Sequence, residues 1–123
     1  MIVLDTSVLV ETLGAGGGLR DELRSVFDAG QRVVLPTLVL YEWLRGPRIP
    51  EELTAQEALL PRDEAIPFGP AEAALAAQLY LEVPRPHGRE VDLAIAACAL
   101  SWNGRLWTLN RTDFADVPGL ALR

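Results

Sequence analysis

The sequence predicts an α/β protein in which a mostly parallel sheet lies between layers of helices. Short apolar segments that are typical of buried strands alternate along the chain with longer segments of helical spacing. This alternation is characteristic of parallel sheets, because their strands are joined by helices that pack on both faces. No repeat, low-complexity tract or long linker divides the 123 residues, so we expect a single domain spanning residues 1–123.

The predicted strands are short apolar runs that end at proline, at glycine or at a polar residue. One of them contains Pro67, and we expect it at the edge of the sheet because proline cannot donate a hydrogen bond to a neighbouring strand. In chain order the predicted strands are Ile2–Leu4, Arg32–Leu35, Ala65–Phe68, Arg105–Leu109 and Leu120–Leu122.

The predicted helices show apolar spacing of three and four residues and begin or end at recognisable capping residues. Asp5-Thr6-Ser7 offers N-cap side chains to the first helix, and Thr37 is placed to cap the third. Asn110–Asp113 is predicted to be a tight loop. In chain order the predicted helices are Val8–Leu13, Leu19–Asp28, Thr37–Arg45, Glu51–Leu60, Pro70–Glu82 and Glu90–Trp102.

The composition constrains both the location and the ligands of the protein. The net charge is −6, which argues against a protein that coats nucleic acid, but not against an enzyme that reaches phosphodiesters through metal ions. The single cysteine, Cys98, cannot form an internal disulfide, and we expect it in the core. The N-terminus lacks a basic region, and no apolar run is long enough to span a bilayer, so we expect a cytoplasmic protein without a membrane partner.

Four acidic residues lie at the edges of apolar segments, where a charge is costly unless something compensates it. They are Asp5, Glu42, Asp92 and Asp113. Each has an ordinary explanation: helix capping, a solvated helix face, complementation of a helix dipole and a polar turn, respectively. Four of them in one short α/β chain favour a carboxylate site for a hard divalent cation.

The predicted topology supports a shared site for these acids. Asp5 directly follows the first predicted strand, and Asn110 directly follows the fourth. In open parallel sheets, ligands bind beyond the carboxyl ends of the strands. Thr6 or Ser7 could orient Asp5 or a water molecule bound beside it.

All 11 basic residues are arginines, and several of them stand near the four acids in the sequence. A guanidinium can clamp phosphate oxygens with two parallel hydrogen bonds. By contrast, we expect His87 to be exposed and without a catalytic role, and Asp116 to be an ordinary surface residue. The arginines that could contact phosphate are Arg45, Arg48, Arg85, Arg89 and Arg111.

With these motifs, the chain resembles the PIN-domain ribonucleases and, within them, the VapC-like toxins of bacterial and archaeal toxin–antitoxin pairs. The resemblance covers nearly the whole chain and rests on four segments in a fixed order. Each segment alone is a loose motif, whereas all four at this length form a fairly specific signal. The segments are IVLDTSVLVE, TLVLYEWLRG, VDLAIAACAL and LWTLNRTDF.

The resemblance implies a three-layer α/β/α PIN-like fold and cleavage of RNA with Mg²⁺, or with Mn²⁺ as a substitute. It implies that Asp5, Glu42, Asp92 and Asp113 are the catalytic, metal-binding acids. Further residues are assigned supporting roles: Thr6, Ser7, Thr108 and Asn110 around the metal ligands, and Arg45, Arg89 and Arg111 at the substrate.

The resemblance also implies two protein partners. One is a cognate antitoxin whose C-terminal segment covers the acidic groove, and the other is a second copy of the chain. For the homodimer, we expect contributions from the Val8–Asp28 region or from the Glu51–Leu60 region. Two departures from the family are visible: the chain is short for such toxins, and Asn110 stands where some relatives carry another acid. The second departure implies that one metal ion is held firmly.

Two other classes of function compete with this interpretation. Aspartyl-phosphate phosphatases need a second acid two residues after the first, where this chain has Ser7, and receiver domains need a lysine, which the chain lacks. Both are therefore disfavoured. A non-catalytic PIN-like module that binds RNA or a protein stays open, because the motifs fix the fold more firmly than the reaction.

Overall fold

A three-stranded parallel sheet forms the centre of the protein in the computed structural model, which describes all 123 residues. The strands are β1 (Ile2–Leu4), β2 (Val33–Val34) and β3 (Arg105–Trp107), in the order β2-β1-β3. β1 is the central strand and pairs in parallel with both of the others. All three of its side chains are buried, as expected for a strand covered on both faces.

Seven α-helices and one short 3₁₀ helix, Arg62–Glu64, surround the sheet and complete the three layers. None of these helices is long and apolar enough to cross a membrane. The predicted α/β class and three-layer architecture are confirmed. The α-helices are α1 (Thr6–Leu13), α2 (Arg20–Asp28), α3 (Thr37–Arg45), α4 (Pro50–Leu59), α5 (Pro70–Glu82), α6 (Glu90–Ser101) and α7 (Arg111–Phe114).

Helix α6 is the most deeply buried helix, and it positions one side of the site. Its residues from Leu93 to Ala99 are all buried, and four of them are alanines. Small side chains allow close packing, and α6 lies against α3, α5, α7 and β3. Because the middle of α6 is held by the core on all sides, its first turn has a fixed place relative to the sheet.

Two predicted strands are wrong as strands, although both segments lie beside the sheet. Ala65–Phe68 makes one parallel bridge, between Ile66 and Pro36, and Leu120–Leu122 makes one, between Leu122 and Leu106. In the first case the ladder cannot extend, because Pro36 and Pro67 both lack an N–H donor. In the second, Gly119 turns the chain with a φ of +77° just before the segment begins.

Two local predictions near the strand ends are also wrong. Thr37 does not cap α3: Pro36 occupies the N-cap position, and the Thr37 hydroxyl instead accepts a hydrogen bond from the Phe68 N–H at 3.3 Å. Asn110–Asp113 is not a loop, because most of it forms the short helix α7. Phe114 is buried at the end of α7, and its burial draws this polar segment into a helical turn.

Candidate functional site

The candidate site lies at the carboxyl ends of β1 and β3, which are neighbours in the sheet. Leu4 pairs with Trp107 in the parallel register, and the N–H of Asp5 donates to the carbonyl of Trp107 at 3.0 Å. The residues that follow the two strands, Asp5 and Thr108, therefore emerge side by side. The Thr108 hydroxyl donates to Oδ2 of Asp5 at 2.7 Å, which joins two residues 103 positions apart.

Asp5 is buried, and three donors within the chain fix its carboxylate. Its Oδ1 accepts from the Thr6 N–H at 2.8 Å, so Asp5 caps α1 as the sequence predicts. Its Oδ2 accepts from the hydroxyls of Ser7 at 3.0 Å and Thr108 at 2.7 Å. Oδ1 has only one donor and retains a lone pair, so it can accept another partner.

Glu42 lies in the middle of α3 and is connected to the first turn of α1. The Thr6 hydroxyl donates to its Oε1 at 2.7 Å, so the side chain of Thr6 orients Glu42 and not Asp5. Its Oε2 lies 3.7 Å from a guanidinium nitrogen of Arg45. The Cζ atom of the same guanidinium is 5.3 Å from the centre of the Tyr41 ring. Arg45 is largely exposed and is only loosely held by these contacts.

Asp92 lies in the first turn of α6 and is partly buried. The pKa of its carboxyl is raised to about 6, first by burial and then by the negative charges of Asp5, Asp113 and Glu42, in that order. The positive charge of Arg89 acts in the opposite direction. The other three predicted acids therefore act electrostatically on Asp92, although the four come from separate parts of the sequence.

Arg89 stands at the N-cap of α6, and its guanidinium is engaged by α7 and the residues beside it. It forms a bidentate pair with Asp116, at 2.6 Å and 3.0 Å. It also donates to the main-chain oxygens of Asp113 at 2.9 Å and Pro84 at 3.1 Å. Pairing with Asp116 raises the pKa of Arg89, and the same bonds lower the pKa of Asp116.

Asp116 is exposed, as expected for a surface residue, but its bidentate pair with Arg89 gives it a structural role that was not expected. Its partner, Arg89, is 27 residues away in the sequence, and no local pattern indicates the pair. The expected exposure of His87 agrees with the structure: its side chain is almost fully exposed, and its Nδ1 is 4.0 Å from the Glu90 carboxylate.

The remaining predicted residues lie around α7 and the loop before α6. The Asn110 N–H donates to the Thr108 hydroxyl at 3.0 Å, but the Asn110 side chain does not cap α7. Arg111 is exposed and has no carboxylate partner. Beside Asp113 is a polar cleft of about 380 Å³ that is lined by Pro84, Arg85, Arg89, Thr112, Asp113 and Asp116.

The donor set is of the kind that a hard divalent cation prefers, since every candidate ligand is a carboxylate oxygen. As the side chains stand, no group of three or more acidic, histidine or cysteine residues is arranged closely enough to enclose an ion. The electrostatics nevertheless fit a cation: burial and three neighbouring carboxylates oppose the ionisation of Asp92, and Arg89 alone offsets them. Binding would require these side chains to move closer together around the ion.

The comparisons with known proteins agree with this fold. Residues 2–120 match the family described as PIN domain. Three similar solved structures are VapBC2 from Rickettsia felis bound to a promoter DNA fragment (TM-score 0.75, 21% identity), DNA-bound VapBC from Salmonella typhimurium (0.73, 19%) and FitAcB from Neisseria gonorrhoeae (0.71, 21%). These alignments cover 100%, 99% and 100% of this chain, and 98%, 96% and 97% of those chains. No curated protein matches.

The alignments also correct one expectation about length. Nearly all of this chain and nearly all of each matched chain are covered, so the chain is not short for this group. At about one-fifth identity, the likeness shows a shared fold. It extends over the whole domain.

Proposed function

We propose that this chain, which belongs to the PIN domain family, is a metal-dependent endoribonuclease and the toxin of a toxin–antitoxin pair. PIN domains are in general nucleases. The observation that carries the proposal is the electrostatic coupling of Asp92 to Asp5, Asp113 and Glu42 at the carboxyl end of the sheet. Four coupled carboxylates at the place where such folds bind ligands form a strong candidate for a catalytic metal site.

In this proposal Asp5, Glu42, Asp92 and Asp113 hold Mg²⁺, with Mn²⁺ as a substitute. The ion would supply a Lewis acid that makes water a better nucleophile and offsets charge on the scissile phosphate. The hydroxyls of Thr108 and Ser7 keep Asp5 in one orientation through bonds of 2.7 Å and 3.0 Å. The Thr6 hydroxyl does the same for Glu42, which limits the reorganisation that binding and reaction require.

RNA would be held through its phosphates by the arginines that remain available. Arg111 is exposed and unpaired, at the start of α7 and two residues before Asp113. Arg45 is 59% exposed, and its 3.7 Å contact with Glu42 is loose enough to be exchanged for a phosphate. Both contacts would act on the sugar–phosphate backbone, which positions the substrate without selecting its sequence.

The proposed partners are a cognate antitoxin and a second copy of the chain. The structural neighbours include VapBC and FitAcB assemblies, which supports an antitoxin as a partner. We further propose that the C-terminal segment of this antitoxin covers the acidic site. The dimer surface stays a proposal for the Val8–Asp28 region or the Glu51–Leu60 region. A cytoplasmic location belongs to the same proposal, since a toxin of this kind acts on cellular RNA.

Cleavage of RNA by the purified protein tests the proposal. Wild-type protein should cut RNA with Mg²⁺ or Mn²⁺ and stop when EDTA is added. Asp5→Asn and Asp92→Asn keep the side-chain shape but remove a charge, so each should reduce cleavage by at least about 100-fold while the protein stays folded. Asp63→Asn is the matched control, because Asp63 is exposed in the 3₁₀ helix and its side chain makes no hydrogen bond within the chain.

The same experiment separates the enzyme from a non-catalytic module. The open arrangement of the four acids is the observation that favours a module that binds without cutting. A module would bind RNA in a gel-shift assay and leave it intact with either metal. Cleavage that persists in EDTA, or at the wild-type rate in Asp92→Asn, would refute the proposed metal site.

A further inference from the structure

The geometry points to Arg89 as a positioning residue that holds the Asp92 and Asp113 segments in place for metal binding, and not as a substrate contact. This inference rests on the proposed function. We call the set formed by Arg89, Asp116 and the carbonyl groups of Asp113 and Pro84 the Arg89 clamp. Four hydrogen bonds between 2.6 Å and 3.1 Å hold it together.

The clamp joins the two chain segments that carry half of the candidate ligands. Arg89 is the N-cap of α6, and its carbonyl accepts from the Leu93 N–H at 2.9 Å, so its backbone is part of the turn that contains Asp92. Its guanidinium bonds to the main-chain oxygen of Asp113 and to the carboxylate of Asp116, on the segment that contains α7. One side chain therefore fixes the start of α6 relative to α7.

The guanidinium has little capacity left for a phosphate. Both of its terminal nitrogens already donate twice to acceptors within the chain, and its Nε is buried without any partner. Only 20% of the side chain is exposed, whereas Arg111 nearby is an exposed residue. A phosphate contact would need the bidentate pair with Asp116 to break, and such charge-assisted pairs are among the stronger hydrogen bonds in proteins.

The charges explain why a clamp is needed at this place. Asp92 and Asp113 lie on the two segments that the clamp holds together, and carboxylates held close to each other repel. Without a restraint, this repulsion would push α7 away from the first turn of α6. The carboxylate of Asp116 pairs with the guanidinium and offsets part of its positive charge, so Arg89 restrains the backbone through a paired side chain.

Three variants separate positioning from the alternatives. Arg89→Met removes the guanidinium but keeps an unbranched apolar stem. Arg89→Lys keeps the charge but not the bidentate fork, and Asp116→Asn keeps the arginine but loses the ion pair. Arg62→Met is the matched control, because it breaks a single 3.3 Å ion pair with Glu57 that involves none of the four acids.

Two measurements do not depend on catalysis. Calorimetry gives the affinity for Mn²⁺, and hydrogen exchange of residues 110–117 in the metal-free protein reports the local stability of the α7 segment. We expect Arg89→Met and Asp116→Asn to weaken Mn²⁺ binding by about 10- to 100-fold, as changes to residues that orient metal ligands do, and Arg89→Lys to lie between them and wild type. Exchange of residues 110–117 should accelerate in the same order, while Arg62→Met should match wild type in both measurements.

Steady-state cleavage then distinguishes the clamp from a substrate contact. The clamp predicts that kcat falls at saturating Mg²⁺ for both Arg89→Met and Asp116→Asn, with KM for RNA changed by less than about twofold. If Arg89 contacts the substrate instead, Arg89→Met should raise KM for RNA and lower the salt dependence of RNA binding. Asp116→Asn should then bind RNA as tightly as wild type or more tightly, because it frees the guanidinium. That second pattern would overturn the inference.

Failure of the clamp differs from failure of the proposed function. If wild-type protein cleaves RNA and Asp92→Asn does not, but Arg89→Met and Asp116→Asn bind Mn²⁺ like wild type, the clamp is wrong and the function stands. If wild-type protein neither binds Mn²⁺ nor cleaves RNA, both are wrong. A loss of thermal stability in Arg89→Met without faster local exchange or weaker Mn²⁺ binding would mark Arg89 as merely structural and would also overturn the inference.

Discussion

Replacing Asp92 with asparagine should stabilise the metal-free protein at neutral pH, even though it should abolish cleavage. Burial and the charges of Asp5, Asp113 and Glu42 raise the pKa of Asp92 from its usual 3.8 to about 6. The folded protein therefore holds the proton of the Asp92 carboxyl group more tightly than the unfolded chain does. As the pH rises from about 4 to about 6, the free energy of unfolding decreases, and above about pH 6 the whole penalty is present.

The size of the effect follows from the two pKa values. A difference of one in pKa corresponds to about 1.4 kcal/mol, so a rise from 3.8 to about 6 sets a ceiling of about 3 kcal/mol. Asp92 is only partly buried, and solvent screening reduces this value to about 1–2 kcal/mol. Asparagine stays neutral and avoids the penalty. For a domain of this size, the gain corresponds to a rise in Tm of roughly 4–8 °C.

Thermal denaturation followed by circular dichroism, in EDTA at pH 8, 6.5, 5 and 4, measures the effect. The Tm difference between Asp92→Asn and wild type should be largest at pH 8 and should shrink towards zero near pH 4. Adding Mg²⁺ at pH 8 should then raise the Tm of wild type but not that of the variant, because the ion binds the folded wild type. An Asp92→Asn variant less stable than wild type at pH 8, or a gain independent of pH, would refute the reasoning.

Three further predictions concern other parts of the structure. Gly104→Ala would place a Cβ 2.5 Å from Cγ2 of the buried, branched Val3 side chain, so it should cost about 1–3 kcal/mol, and an unchanged urea midpoint would contradict this. Thr6→Val removes the hydroxyl that orients Glu42 and should slow cleavage by about 10-fold, while Thr6→Ser should cleave like wild type; equal rates for both would disprove it. Burial, and secondarily the charge of Glu72, raises the pKa of the Cys98 thiol to about 11, so Cys98 should resist thiol reagents at pH 8 until the protein is denatured. Rapid labelling of the native protein would argue against this.

Helices could be predicted well from the sequence because their signals are local. The bounds of α3 and α5 match the predicted helices residue for residue, since Gly46-Pro47 ends one and Pro70 begins the other. α6 ends one residue earlier than predicted, at Ser101. Capping residues and apolar spacing lie within a few positions of the helices that they define, so one sequence contains the information.

Strand lengths could not be predicted in the same way, because they depend on partners that are distant in the sequence. An apolar run such as Leu120–Leu122 becomes a strand only if a neighbouring strand offers several unpaired groups, and here Leu106 supplies a single bridge. The same limit applies to side chains: no local pattern predicts that Arg89 pairs with Asp116. The meeting of Asp5 with Thr108 could be anticipated only from the rule that parallel strands end at one edge.

The four acids are not equivalent in the metal-free structure, and the difference indicates how the site would work. Asp5 accepts three hydrogen bonds and Glu42 accepts one from Thr6, so both are oriented before any ion arrives. The carboxylates of Asp92 and Asp113 accept no hydrogen bond from the chain, and what holds their segments is the pair between Arg89 and Asp116. A divalent ion therefore gains most from Asp92, whose ionisation is opposed by burial and by the neighbouring carboxylates. It follows that losing Asp92 should mainly weaken metal affinity, whereas losing the hydroxyls around Asp5 should mainly disturb the orientation of a metal that still binds.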